Sequence, residues 1–236
     1  MNRASPAEYD SLTRRHYQDP SVARAYRDEY MGPWALRTLP ARLVAIRERQ
    51  IVSRAITGIA EGGGPSVRRI VDLPCGTGKL APVFARHRIS VVAADISREM
   101  MDVAEAEYRK IPGFVGLVQA DATATEFRDE EFDAAVCLRL LHRVPDTVRE
   151  IMLAEISRIS RHYVIISAGV TDRLQEARRT LRRWTTGTST VPYPVTRDVL
   201  TSQLSRAGLD PLRWVPVLPV LSSEWVVICA KRGVPQ

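Results

Sequence analysis

Arg69-Ile-Val-Asp-Leu-Pro-Cys-Gly-Thr-Gly-Lys79 decides the fold of this chain. Residues 69–73 read as a buried β-strand, 75–78 as a tight glycine turn and 79–88 as a helix. The turn calls for glycine because the backbone must bend sharply and let a ligand approach with no Cβ in the way. The helix that follows offers unpaired backbone N–H groups to a carboxylate or phosphate. Asp72 at the strand end adds an acceptor suited to an ammonium group. An acid beside exposed N–H groups fits an amino-acid zwitterion better than a pyrophosphate. Taken alone, Gly-x-Gly also fits an ordinary βα turn.

Two neighbouring stretches extend the pattern. Val91-Val-Ala-Ala-Asp95 is another apolar run ending in an acid, 23 residues after Asp72. Nucleoside sites in doubly wound folds place an acid at the end of the second strand, about 20 residues on, where it accepts from ribose hydroxyls. A third strand-like segment, 114–119, leads into Asp121. Three strands closing on acids line the carboxyl edge of one sheet, where such folds bind ligands.

On these residues the chain resembles the class I S-adenosylmethionine-dependent methyltransferases, most nearly the small-molecule branch typified by the ubiquinone/menaquinone-biosynthesis enzymes. Asp72 through Gly78 looks like the family's glycine motif, with Cys75 where many members have glycine. Phe132-Asp-Ala-Ala-Val-Cys-Leu138 resembles the fourth strand and Leu140-Leu-His-Arg-Val-Pro145 the loop after it. The resemblance spans residues 51–231 and implies a Rossmann-like, doubly wound α/β sheet. Seven strands are implied, mostly parallel, with a C-terminal antiparallel hairpin and an N-terminal helical cap. It implies S-adenosyl-L-methionine as cofactor, held by Asp72, Pro74, Cys75, Gly76, Thr77 and Gly78 in the turn and by Asp95 at the ribose. Ile96 and Met100 are candidates to flank the adenine, Asp121 and Ala122 match its edge, and Leu138 closes the fourth strand.

Outside this core, residues 1–62 read as the cap and 63–236 as the methyltransferase core, divided at Glu61-Gly-Gly-Gly-Pro65. Helices are expected over 22–30 and 41–59, and again over 147–161, 172–184 and 196–207, the last closed by Gly208. The alternation of strand and helix implies parallel strands. Apolar runs at 212–217 and 224–230 break that rhythm. Their short connection joins antiparallel strands, because a parallel crossover needs a dozen or more residues. The resembling family folds its N-terminal segment over the ligands, and a sulfonium favours aromatic faces, so Tyr17 and Tyr26 are candidate substrate contacts. Packing against the domain is the other reading for each. The basic helix 172–184 and the loop after it read as a substrate lid over 170–195. An interfacial helix making weak contact with an anionic membrane surface is the alternative.

The 45% hydrophobic content supports a globular core. The three cysteines are scattered, two of them in apolar runs, which points to free thiols, and no spacing resembles a zinc site. No signal peptide or long apolar run is seen, so a soluble, cytoplasmic protein is expected, monomeric or homodimeric. The net charge of +7 comes from dispersed arginines without interleaved aromatics, so no nucleic-acid partner is expected.

Methyl transfer from a sulfonium is an in-line displacement in which positioning does most of the work. An acidic nucleophile also needs a base. His142 follows the fourth strand, and its ordinary pKa near 6.5 suits that role. Arg139 and Arg143 flank it and suit an anionic small-molecule acceptor such as a carboxylate or phenolate. The expected function is O- or C-methylation of an aromatic, quinone-like or lipid-linked small molecule. RNA or protein methylation and a non-catalytic nucleotide-binding protein are the alternatives. Against base methylation, the fourth strand ends in Cys-Leu-Arg-Leu with no Asn/Asp-Pro-Pro-Tyr/Phe motif. The dinucleotide fingerprint Gly-x-Gly-x-x-Gly fails at Cys75 and Ala81.

Overall fold

The structure, a computed structural model, describes residues 20–31, 39–171, 193–219 and 222–234. Its apolar runs become β1 (Arg69–Asp72), β2 (Ser90–Asp95), β3 (Phe114–Gln119), β4 (Phe132–Cys137) and β5 (Ser160–Gly169). These five pair in parallel. β7 (Glu224–Lys231) then inserts antiparallel between β5 and β6 (Leu209–Pro216). The order across the seven-stranded sheet is β3-β2-β1-β4-β5-β7-β6. β1 sits between β2 and β4, which is why Ile70 and Val71 are fully buried: a parallel strand covered on both faces carries a continuous apolar run.

Helices cover the two faces. On one lie α2 (Leu39–Glu61), α3 (Ala81–His87) and α4 (Arg98–Tyr108), with Ile51, Val52, Phe84 and Ala104 in a core shared with Ile70, Ile165 and Ile228. On the other lie α5 (Asp146–Ile159) and α6 (Arg197–Arg206), with Met152, Ile156, Leu200 and Leu204 packed on Val71, Val164 and Val227. The shorter α1 (Pro20–Met31) packs against α2 and α4. Ser97 caps α4 as its sequence position implies, its hydroxyl accepting from the Met100 N–H at 3.1 Å. Gly208 ends α6 with φ +73.

Boundaries differ where local chemistry overrides periodicity. α3 starts at Ala81, two residues later than expected, because the turn continues through Lys79: Gly78 N–H donates to Cys75 O at 3.0 Å and Ala81 N–H to Gly78 O at 3.1 Å. α5 stops at Ile159 because Ser160 is already extended (φ −93, ψ 136), its hydroxyl bonding back to Ile156 O at 2.7 Å. β6 begins directly after Gly208, three residues ahead of the apolar run at 212. The basic helix expected over 172–184, most of the lid over 170–195 and Tyr17 lie outside the described residues. Among the described residues no helix is long and apolar enough to cross a membrane.

Candidate functional site

The carboxyl ends of β1, β2 and β4 surround a cavity of about 100 Å³. Asp72, Pro74, Cys75, Gly76 and Thr77 line it from the glycine turn, and Asp95, Ile96 and Met100 from β2 and the start of α4. Asp121 and Ala122 close it beyond β3, Leu138, Arg139 and Arg143 beyond β4, and Tyr26 reaches it from α1. Two described candidates, Gly78 and His142, do not line it. Gly78 is pressed against α4: a Cβ there would stand 3.2 Å from Ala104 O and 3.1 Å from Glu107 Cβ, at φ +82. Its hydrogen atom serves helix-to-turn packing. At Gly76 (φ +51) a Cβ would meet nothing within 4 Å, so this glycine borders open space.

On the β1–β2 side two carboxylates are buried against neutral donors. Asp95 Oδ2 accepts from the Gly76 N–H at 2.8 Å and Oδ1 from the Ser97 N–H at 2.9 Å. Asp72 accepts from the Tyr108 hydroxyl. Burial dominates both: it raises Asp72 to about 7 against the Tyr108 bond and the Lys79 charge. It raises Asp95 to about 6 against its N–H partners.

On the β4–β5–β7 side the charges answer one another. Lys79 Nζ donates to Glu48 Oε2 at 2.6 Å, and Glu48, on α2, is fully buried. Arg139 Nη1 lies 3.9 Å from Glu48 Oε1 and 4.0 Å from Glu224 Oε2. Arg139 holds a left-handed backbone (φ 61). Its N–H donates to Ser167 Oγ at 2.7 Å, and that hydroxyl donates to Glu224 Oε1 at 2.8 Å. The guanidinium also lies 6.0 Å from the centre of the Tyr26 ring. Burial holds Glu48 above the usual carboxylate range. For Glu224 burial is outweighed by Arg139, Lys79 and Ser167, which bring it below that range.

His142 lies in the 3₁₀ turn Leu141–Arg143, 3% exposed, with no hydrogen-bond partner at Nδ1 among the described residues. Burial, with Arg143 and Arg139 nearby, lowers its imidazole to about 3. It is neutral at pH 7 and a weaker proton acceptor than an ordinary histidine. The three thiols are free, and burial raises each of them, so none is a ready nucleophile.

Lys79, Glu48 and Glu224 were not legible as site residues from motifs. A signal for Glu48 exists: it is an acid on the apolar stripe of α2, one turn from Val44 and Val52.

Residues 70–162 match the family model described as a methyltransferase domain. The chain is similar in fold to the crystal structure of magnesium protoporphyrin IX methyltransferase from Synechocystis PCC 6803 with bound S-adenosylhomocysteine. The TM-score is 0.74, with 16% identity, over 94% of this chain and 99% of that one. Residues 70–162 thus resemble a methyltransferase domain in sequence, and the chain shares the fold of that solved structure. Among curated relatives, the domain is 36% identical over 87 residues to a ubiquinone biosynthesis O-methyltransferase of Alkalilimnicola ehrlichii, covering 36% of this chain and 34% of that protein. It is 29% identical over 143 residues to a phosphatidylethanolamine N-methyltransferase of Cereibacter sphaeroides, covering 60% and 63%. The chain therefore spans between about a third and under two thirds of the length of these two relatives.

Proposed function

We infer that this protein binds S-adenosyl-L-methionine in the cavity at the carboxyl edge and methylates a small-molecule acceptor there. The observation that carries the reading is the pair Asp72 and Asp95, buried on either side of Gly76 and facing one cavity. Two carboxyls with raised proton affinity suit a ligand that brings both a cation and hydroxyl donors. An ammonium beside Asp72 and ribose hydroxyls beside Asp95 meet that need, and the open space at Gly76 admits close approach. Ile96, Met100 and Ala122 supply the apolar walls for a flat base, with Asp121 at its edge. Bound there, S-adenosylmethionine supplies a methyl group already activated on a sulfonium.

The acceptor side is cationic and aromatic. Arg139, Arg143 and Tyr26 line it, and the Glu48–Lys79–Glu224 network fixes the Arg139 guanidinium. That suits an acceptor with an acidic hydroxyl or carboxylate on an apolar body. A relative named as a ubiquinone biosynthesis O-methyltransferase supports a hydroxyl acceptor. Arg139 holds the anionic oxygen and His142 stands behind it as a neutral hydrogen-bonding group. The N-terminal helices serve as a cap that delivers Tyr26 and Glu48 to this core.

Calorimetry tests the cofactor. S-adenosylmethionine is expected to bind on the order of micromolar, about −8 kcal/mol. Asp95→Ala weakens it by about 1–3 kcal/mol through lost charge-assisted bonds. Equal affinity in that variant, or tight NAD binding by the wild type, overturns the reading.

A further inference from the structure

A second cavity, of about 210 Å³, lies near the opposite, amino-terminal edge of the sheet between α2 and the strands β5, β7 and β6. Its floor is set by register: Tyr163 on β5 pairs with Ala230 on β7, and Arg213 on the edge strand β6 pairs with Ile228. Paired residues point to the same face, so Tyr163, Ala230, Ile228 and Arg213 all face α2. The roof is the end of α2, where Gly58 and Gly62 stand one turn apart on one side with Arg54 a turn before them. A Cβ on Gly58 would meet nothing within 4 Å, so the space beneath the helix is open there. Glycine inside a helix costs stability relative to alanine, and packing gives no return for it at Gly58.

Small residues alone define only a gap. The second observation is the Tyr163 side chain, 4% exposed, lining this cavity. Its hydroxyl makes no hydrogen bond among the described residues, and it presses so close to Gly64 that a Cβ there would stand 2.2 Å from the oxygen. A phenol that lines the cavity without a protein partner among the described residues can donate to a ligand there. Arg54 and Arg213 at the rim make no ion pair or hydrogen bond among the described residues. Asp210, which shares Arg213's face of β6, is engaged by Arg232 at 3.2 Å. The mouth of the cavity therefore carries two exposed guanidinium groups without a protein partner among the described residues, over an apolar floor of Ile228 and Ala230.

We propose that this cavity binds a small organic anion, one carboxylate or phosphate on an apolar ring or short acyl body, at a site separate from the methyl-transfer cleft. A cavity of about 150 Å³ accommodates benzene, so this one has room for a ring or short chain as well as the link to its head group. The head group sits between Arg54 and Arg213, as guanidinium forks favour. The Tyr163 hydroxyl donates to any oxygen carried on the body.

The test uses the full chain and octanoate as probe, with octanol and inorganic phosphate as controls, followed by calorimetry and by the Tyr163 resonances. Octanoate is expected to saturate a single site. Octanol and phosphate, each lacking half of the recognised chemistry, bind at least tenfold more weakly. Arg54→Glu/Arg213→Glu weakens octanoate at least tenfold. Gly58→Leu fills the cavity from a helical position that favours leucine, and is expected to abolish octanoate binding while S-adenosylmethionine binding is retained. Octanoate binding that does not saturate, or that both variants leave unchanged, overturns the site. Recruitment to anionic phosphatidylglycerol vesicles without saturable octanoate binding also overturns it, by assigning the arginines to a membrane surface. Because the readout is octanoate, failure of the methyltransferase reading would leave this result untouched.

Discussion

On the β1–β2 side of the cleft, Asp72 and Asp95 are buried carboxylates that accept from neutral donors, a tyrosine hydroxyl and backbone N–H groups, and form no ion pair among the described residues. On the β4–β5–β7 side, Glu48 and Glu224 are buried just as deeply but are answered by Lys79 and Arg139. Burial outweighs these donors, and at Asp72 the Lys79 charge as well, so Asp72 and Asp95 hold their protons to about 7 and about 6 and gain most from a ligand that brings a cation or hydroxyls. The opposite wall is compensated in part from within: Arg139 and Lys79 bring Glu224 below the usual carboxylate range, while burial still holds Glu48 above it. Its role is to hold Arg139 rigid before the acceptor arrives, which is the condition for positioning to help a displacement. One cleft thus keeps a half without ion pairs among the described residues for the cofactor and an ion-paired half for the acceptor.

The largest effect that could break this contrast comes from Glu48. Removing one partner of a buried pair leaves an uncompensated charge and costs about 3–5 kcal/mol. Glu48→Ala is expected to lose stability on that scale in denaturant unfolding, because Lys79 and Arg139 both lose their α2 partner. Asp72→Asn, which removes a desolvated carboxyl that accepts from a neutral donor, is expected to change stability far less. Comparable losses in the two variants would erase the distinction between the walls.

The glycine turn gives a smaller, sharper contrast. Gly78→Ala forces a Cβ against Ala104 and Glu107 at positive φ, so it is expected to destabilise by about 1–3 kcal/mol. Gly76→Ala carries the strain of φ +51 but meets no neighbour, so its loss of stability is smaller and its main effect is on cofactor affinity. Thermal unfolding and calorimetry on both variants separate the roles. Equal affinity losses would place Gly78 against the ligand after all.

Much of this was legible in the sequence because it is local. Apolar runs closing on Asp72, Asp95 and Asp121 placed three strand ends and most of the cavity lining, and the two runs after Gly208 announced the antiparallel β6–β7 pair. Arg139 was singled out, but the charged wall around it was not legible, because Glu48, Lys79, Ser167 and Glu224 come from separate elements joined only by the fold. Burial was the other blind spot. The sequence places His142 beside the cleft, but only packing shows that the ring is enclosed and titrates near 3. Gly78 likewise reads as part of a ligand turn until the position of α4 beneath it is known.

The smallest expected effect concerns pH, and it sharpens the view of Asp72 as a carboxyl without an ion pair among the described residues. Its folded pKa of about 7 lies above the ordinary value of about 3.9. The native state therefore binds the extra proton across that window. The stability Asp72 contributes is fully present below about pH 4 and is lost as pH rises through about 7. His142 has the opposite sign. Its folded pKa of about 3 lies below 6.5, so its contribution is present above about pH 6.5 and is lost as pH falls toward 3. Between pH 6 and 8 His142 stays neutral in the folded protein, so a change in cofactor affinity over that range reports the carboxyl groups. A sulfonium ligand with an ammonium group needs the ionised form of Asp72, which rises from roughly a tenth to nine tenths of the population over this interval. S-adenosylmethionine is therefore expected to bind about tenfold more tightly at pH 8 than at pH 6, a difference of about 1.4 kcal/mol. Proton release should accompany binding near pH 7, read as a dependence of the calorimetric enthalpy on buffer ionisation heat. Asp72→Asn should flatten both the affinity profile and the buffer dependence. A flat profile in the wild type would mean that Asp72 is already ionised, its charge met by Lys79 as fully as the charges on the opposite wall.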